Sequence, residues 1–131
     1  MSLLFIFVID TLWITWGGGH FYAQQLQEIG RFAPDGGFDV RLAPGIFVYF
    51  LMALGIEVFV FQNKAFTTLR EHMFYGGLLG FIVYGVYDCT NRAILAAYPL
   101  EMVLVDMTWG TFLFATISAL NYQLRHRINF L

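Results

Sequence analysis

The stretch YGVYDCTNRAILAAYPLEMVLVDMTWG, residues 84–110, decides the fold. Two apolar segments meet at a turn near Ala97, and each carries an acid. Asp88 lies nine residues before that turn and Asp106 nine after it. A charged side chain at bilayer depth costs about 2.5–3.5 kcal/mol on the insertion scale, so each acid needs a partner, a proton or a wet cavity. At 1.5 Å per residue both carboxyls come to about the same depth, roughly 13 Å below the turn. The stretch therefore describes a transmembrane hairpin with a polar site inside it.

Outward from the hairpin, two more apolar segments fill most of the chain. The first runs from about Leu3 to Tyr22, continues as helix to Glu28, and carries a third acid, Asp10. Gly30 to Pro44 is a loop marked by Pro34, Gly36, Gly37 and alternating charges. Pro44 suits the first turn of a second helix, where its missing N–H is not needed; that helix runs to about Phe61. A connection over Gln62–His72 leads to the third helix, about 73–93, and the fourth covers about 100–124. Each segment approaches the roughly 20 residues that a hydrocarbon core of about 30 Å requires. The expected fold is an all-α integral membrane protein. Four transmembrane helices form one compact bundle, a single domain over residues 1–131, with both termini on the same side.

Composition agrees. Hydrophobic residues make up 59% of the 131-residue chain and charged ones 12%, against roughly 45–50% and 25% in soluble domains. A soluble domain of this size cannot hide that much apolar surface, so the lipid bilayer is the expected partner. A net charge of −2 without a basic block excludes nucleic acid. The single Cys89 excludes an intrachain disulfide. The N-terminal segment lacks a positive n-region and a small-residue cleavage site, so it is expected to stay as the first helix. Lys64, Arg70, Arg125 and Arg127 fall on one side and Arg31, Arg41 and Arg92 on the other, so the positive-inside rule favours cytoplasmic termini by four to three. Tyr22 and Tyr98 are expected as anchors at the opposite interface.

Helical spacing gathers the polar residues. Tyr84, Asp88, Asn91 and Arg92 fall at i, i+4, i+7 and i+8, one stripe on an otherwise apolar helix. The bland reading has Arg92 neutralising Asp88 across one turn while Tyr84 hydrogen-bonds it; the functional reading has the stripe lining a site. Asp10-Thr-Leu-Trp13 echoes Asp106-Met-Thr-Trp109. At i, i+3 each indole lies over its carboxylate's face and can donate to it or to a shared ligand. Gly76 and Gly80 form a small-xxx-small face for close helix approach, and Ala115 and Ala119 another. Glu57 is expected to reach Lys64 or the C-terminal arginines, His20 to sit at the outer rim, and His72 to be a polar boundary residue rather than a haem or pigment ligand. No metal-ligand spacing is present, no nucleophile has a partner, no cofactor is implied, and Gly17-Gly-Gly19 lacks the strand and lysine of a phosphate loop.

Tyr87-Asp88-Cys89-Thr90-Asn91, the Tyr98-Pro99 turn and Asp106-Met107-Thr108-Trp109-Gly110 together resemble a family of small four-helix membrane proteins, widespread in bacteria and catalogued as a domain of unknown function. Its first helix likewise carries D-x-x-W with a tyrosine twelve residues after the acid, matching Asp10, Trp13 and Tyr22; Tyr49 and Gly55 also look like family positions. The resemblance spans about Phe5 to Leu120. It departs at the glycine-rich Gly17-Gly-Gly19-His20 and at the expanded Gly30–Pro44 loop. It implies a fold and motif positions and brings no activity. The leading expectation is a ligand site for a small polar molecule or cation built from Asp10, Asp88, Asn91 and Asp106 and walled by Trp13, Tyr84 and Trp109. A transporter of this kind would need a homodimer. The alternatives are an accessory subunit of a larger membrane complex and a membrane-embedded enzyme of lipid metabolism.

Overall fold

A computed structural model describes residues 1–128; residues 129–131, the end of the expected domain, lie outside the described residues. The chain forms four helices: α1 (Ser2–Gln25), α2 (Leu42–Phe61), α3 (Leu69–Ile94) and α4 (Leu100–Ile128). No strand occurs among the described residues beyond one isolated bridge between Phe32 and Phe38. α1, α2 and α4 are long and apolar enough to cross a membrane. α3 is 26 residues long, about 39 Å at the helical rise. Its glycines, tyrosines and Asp88 dilute its hydropathy, and it packs along α4 within the same bundle.

Apolar side chains cover the outside: Trp16 is 84% exposed and Leu42 74%. Only a lipid solvent makes such a surface stable. Inside are two apolar clusters. Ile6, Met52, Ile56, Leu113, Phe114 and Ile117 join α1, α2 and α4 toward the terminal side. Tyr22, Tyr98, Met102 and Val103 form the other, near the α3–α4 turn. The acids lie in the layer between them.

α3 and α4 make the tightest pair. A Cβ at Gly76 would meet the Ser118 side chain and the Phe114 carbonyl, and one at Gly80 the Gly110 carbonyl. The small face of α4 is thus Gly110, Ala115 and Ser118; Ala115 lies on it as expected, and Ser118 stands where Ala119 was expected. Thr68 caps α3 in a reciprocal box: its hydroxyl accepts from the Glu71 N–H, and the Glu71 carboxylate accepts from the Thr67 and Thr68 N–H groups, each at 2.8 Å. Those donors hold the Glu71 carboxyl below its ordinary range.

α1 reaches Gln25 through a widened π-helical turn at Trp13–Gly18. The glycine-rich segment therefore does not end the helix early. It lets the Trp13 ring fold back over its own helix, since a Cβ at Gly18 would stand 2.6 Å from the Trp13 Nε1. The 30–44 loop is a folded cap: Phe32 stacks on Phe38 at 4.9 Å, Arg31 pairs with Asp39, and Gly36 turns with φ +86°.

Candidate functional site

A chain of hydrogen bonds crosses the layer between the two clusters and touches all four helices. At its turn end, Tyr98 donates its hydroxyl to Asp88 Oδ1 at 2.5 Å. Asp88 is fully buried, and its Oδ2 has no donor. The Asp106 carboxyl lies beside it. Asp106 Oδ1 accepts from the Tyr22 hydroxyl at 2.7 Å, and that hydroxyl accepts from Trp13 Nε1 at 3.1 Å. The Trp13 indole stacks on Trp109, with centroids 4.5 Å apart and planes 13° apart. Trp109 Nε1 donates to Asp10 Oδ1 at 2.9 Å, and the Tyr49 hydroxyl to Asp10 Oδ2 at 2.7 Å.

The two D-x-x-W segments exchange partners. The indole of α1 serves the acid of α4 through Tyr22, and the indole of α4 serves the acid of α1 directly. Of the two roles the spacing allowed, neither indole takes the first, donation to its own carboxylate: i, i+3 spacing puts both groups on one face, but both faces turn toward the neighbouring helix. The stack between the indoles keeps the two halves in register.

The α3 stripe also folds differently from its sequence reading. Arg92 does not neutralise Asp88; its guanidinium donates to the Tyr98 carbonyl at 2.5 Å, which fixes the turn that carries the Tyr98 hydroxyl. Tyr84 makes no hydrogen bond to Asp88. Its ring covers Gly110 and meets Phe114 edge-on at 6.2 Å. Asn91 sits beside the Tyr87 and Tyr98 side chains. All seven expected residues thus lie in or against one polar layer.

Sequence reasoning missed the tyrosines. Tyr22 and Tyr98, expected at the interface, are 9% and 2% exposed and donate to the acids, as does Tyr49. Spacing gave no signal for this: twelve residues of a regular α-helix are about 3.3 turns and leave Tyr22 roughly 120° from the face of Asp10.

A cleft of about 470 Å³ opens between α2 and α3, walled by Val48, Leu51, Met52, Val83 and Phe114, with Tyr84, Tyr87 and Asp106 as its polar lining. A second, polar hollow lies above Tyr98, between the end of α1 and the α3–α4 turn, and includes Gln24, Glu28 and Arg92. Asp88 and Asp106 therefore lie between a lateral apolar opening and a polar one. Among the described residues no group of three His, Cys, Asp or Glu side chains is arranged to hold a metal ion. Outside this layer Arg125 reaches Glu57 at 2.5 Å and covers the Phe61 ring, as expected for Glu57. His72 is buried against Phe61, Phe66 and Tyr122, its Nδ1 2.9 Å from the Thr68 carbonyl, a packed structural position.

Helical spans, a lipid-facing exterior and a polar layer at membrane depth define a multi-pass membrane protein. The chain belongs to the family described as Predicted membrane protein (DUF2177), whose model matches residues 1–123. No curated protein and no solved structure matches it.

Proposed function

We propose that Asp10, Asp88, Asn91 and Asp106, with Trp13, Tyr84 and Trp109 around them, form an intramembrane site for a small polar or cationic group, and that ligand contact falls on the Asp88–Asp106 pair. The observation that carries this is the fully buried Asp88, whose Oδ2 lacks a donor while Asp106 reaches an open cleft. Buried polar atoms are nearly always paired. A proton held between the two carboxyls supplies the partner here and leaves the pair one negative charge for a ligand. Asp10 accepts from both Trp109 and Tyr49, which suits a positioning role.

A transporter could use such a site from a homodimer. The sideways opening beside two carboxyls of equal depth favours a second reading, a membrane enzyme of lipid metabolism in which one carboxyl acts as general acid. An accessory subunit of a larger complex has less support, because packing does not require two carboxyls side by side next to an open cleft. In this reading the chain is a single transmembrane domain with cytoplasmic termini.

Native mass spectrometry of the protein released gently from its own membrane tests the proposal, comparing wild type with Asp106→Asn, which removes the charge that faces the cleft. A small bound mass in the wild type alone is expected. A fixed set of protein partners, unaltered by the substitution and with no small mass, would replace this reading with that of a subunit.

A further inference from the structure

We infer that the cleft between α2 and α3 takes a single-chain amphiphile with an ammonium head, entering sideways from the bilayer; this rests on the carboxyl-site reading above. The cleft is elongated along the helices. Asp106 and Phe114, both in its wall, are eight residues apart on α4, or about 12 Å. Val48 and Gly55 bound it over seven residues of α2, about 10 Å. Its carboxyl end is the one nearer the α3–α4 turn, roughly 13 Å below it and so close to mid-bilayer, and its apolar end runs about 12 Å further from that turn.

The chemistry of the two ends selects the ligand. An ionised carboxylate only accepts, so the head must donate. The Asp88–Asp106 pair with one proton keeps a negative charge, and Tyr84 and Tyr87 line the same cleft, where aromatic side chains suit a cation better than an anion. A hydrated inorganic ion would shed its water against apolar walls, at a large desolvation cost. An amphiphile instead moves its tail from one apolar surrounding to another. No Lys or Arg lines the cleft, so a phosphate would be buried without a counter-charge, which disfavours phospholipid head groups. The rim is on the lipid side: Val48, Leu51 and Val83 are 51%, 48% and 41% exposed. A volume of about 470 Å³ is within the range of small-molecule sites.

The test uses the full chain in phosphatidylcholine nanodiscs, with radiolabelled dodecylamine measured above empty nanodiscs, and dodecanoic acid and methylammonium as comparison probes. Saturable dodecylamine binding is expected, without saturable dodecanoic acid binding. Asp106→Asn should weaken it about tenfold or more, the loss of one charge-assisted contact. Gly55→Leu should do the same by filling the cleft; a Cβ there has room, 3.8 Å from Leu79, and no hydrogen bond of the polar layer is touched. Undiminished binding in both variants, or equal binding of the acid, would overturn the inference. Methylammonium bound without dodecylamine would overturn the amphiphile but keep the carboxyl site. Binding of neither probe would count against both.

Discussion

The link between Tyr98 and Asp88 can be tested by two substitutions that differ by single atoms. Tyr98→Phe keeps the ring in its pocket, where Tyr98 is 2% exposed, and removes the hydroxyl that serves Asp88 Oδ1. Asp88 Oδ1 then has no donor, and only the proton shared with Asp106 serves the carboxyl. A buried acceptor left unpaired costs about 1–3 kcal/mol. Hydrogen bonds between membrane helices average nearer ~0.6 kcal/mol and reach ~1.7, because the membrane-unfolded chain also finds partners. We expect a loss of about 1–2 kcal/mol, or roughly 5- to 30-fold in the unfolding equilibrium. Asp88→Asn should behave oppositely. The new amide oxygen can still accept from Tyr98, and its NH₂ can donate to Asp106, reproducing the protonated pair. Its effect should stay below about 0.5 kcal/mol, the low end of one net hydrogen bond. Both values can be read from unfolding in mixed micelles titrated with dodecyl sulfate, followed by far-ultraviolet circular dichroism. If Asp88→Asn destabilises more than Tyr98→Phe, the second oxygen faces something other than a hydrogen-bonding carboxyl, and the argument for a shared proton falls.

Trp13→Phe and Trp109→Phe should be coupled by about 0.5–1.5 kcal/mol in a double-mutant cycle, through their stack; simple additivity would mean the indoles do not bind each other. Gly80→Val should cost about 1–3 kcal/mol or more in thermal unfolding, because its Cβ meets the Gly110 backbone and Phe114 Cβ. Gly85→Ala should cost less, since only the flexible end of Met107 is in the way. Thr68→Ala should lower stability by about 1 kcal/mol. The Glu71 half of that cap, with its folded carboxyl held below the ordinary range, contributes above the unfolded carboxylate range of about 4.3. That contribution fades as pH falls through the lower folded value. A stability profile of Glu71→Gln that parallels wild type through this acid window would refute it.

The number and order of helices were readable because hydrophobic length is a property of each segment alone. The same holds for the depth of Asp88 and Asp106, which the turn near Ala97 sets through the helical rise. Rotation is not a property of one segment. Whether Arg92 meets Asp88 or the Tyr98 carbonyl depends on how the turn folds back, and sequence spacing favoured the wrong partner. The interfacial reading of Tyr22 and Tyr98 failed for a related reason. Their height was roughly right, but a tyrosine at the boundary can direct its hydroxyl inward as well as outward, and the buried acids are the stronger acceptors.

The exchanged D-x-x-W pairs show what the sequence echo is for. Within one isolated helix, neither Asp10 nor Asp106 has its observed donors: Asp10 depends on Trp109 and Tyr49 from α4 and α2, and Asp106 on Tyr22 from α1. Each acid inserted alone therefore carries its full lipid penalty until the partner helix docks. Docking removes that penalty from both helices at once, in the one rotation where the indoles stack. A rotation that seats one acid but not the other keeps a large part of the cost. The polar layer thus specifies the packing of α1 on α4 against its alternatives in a membrane, where apolar contact with lipid and with protein differ little in free energy. Asp106, held this way and still facing the cleft, is structural and receptive in the same arrangement.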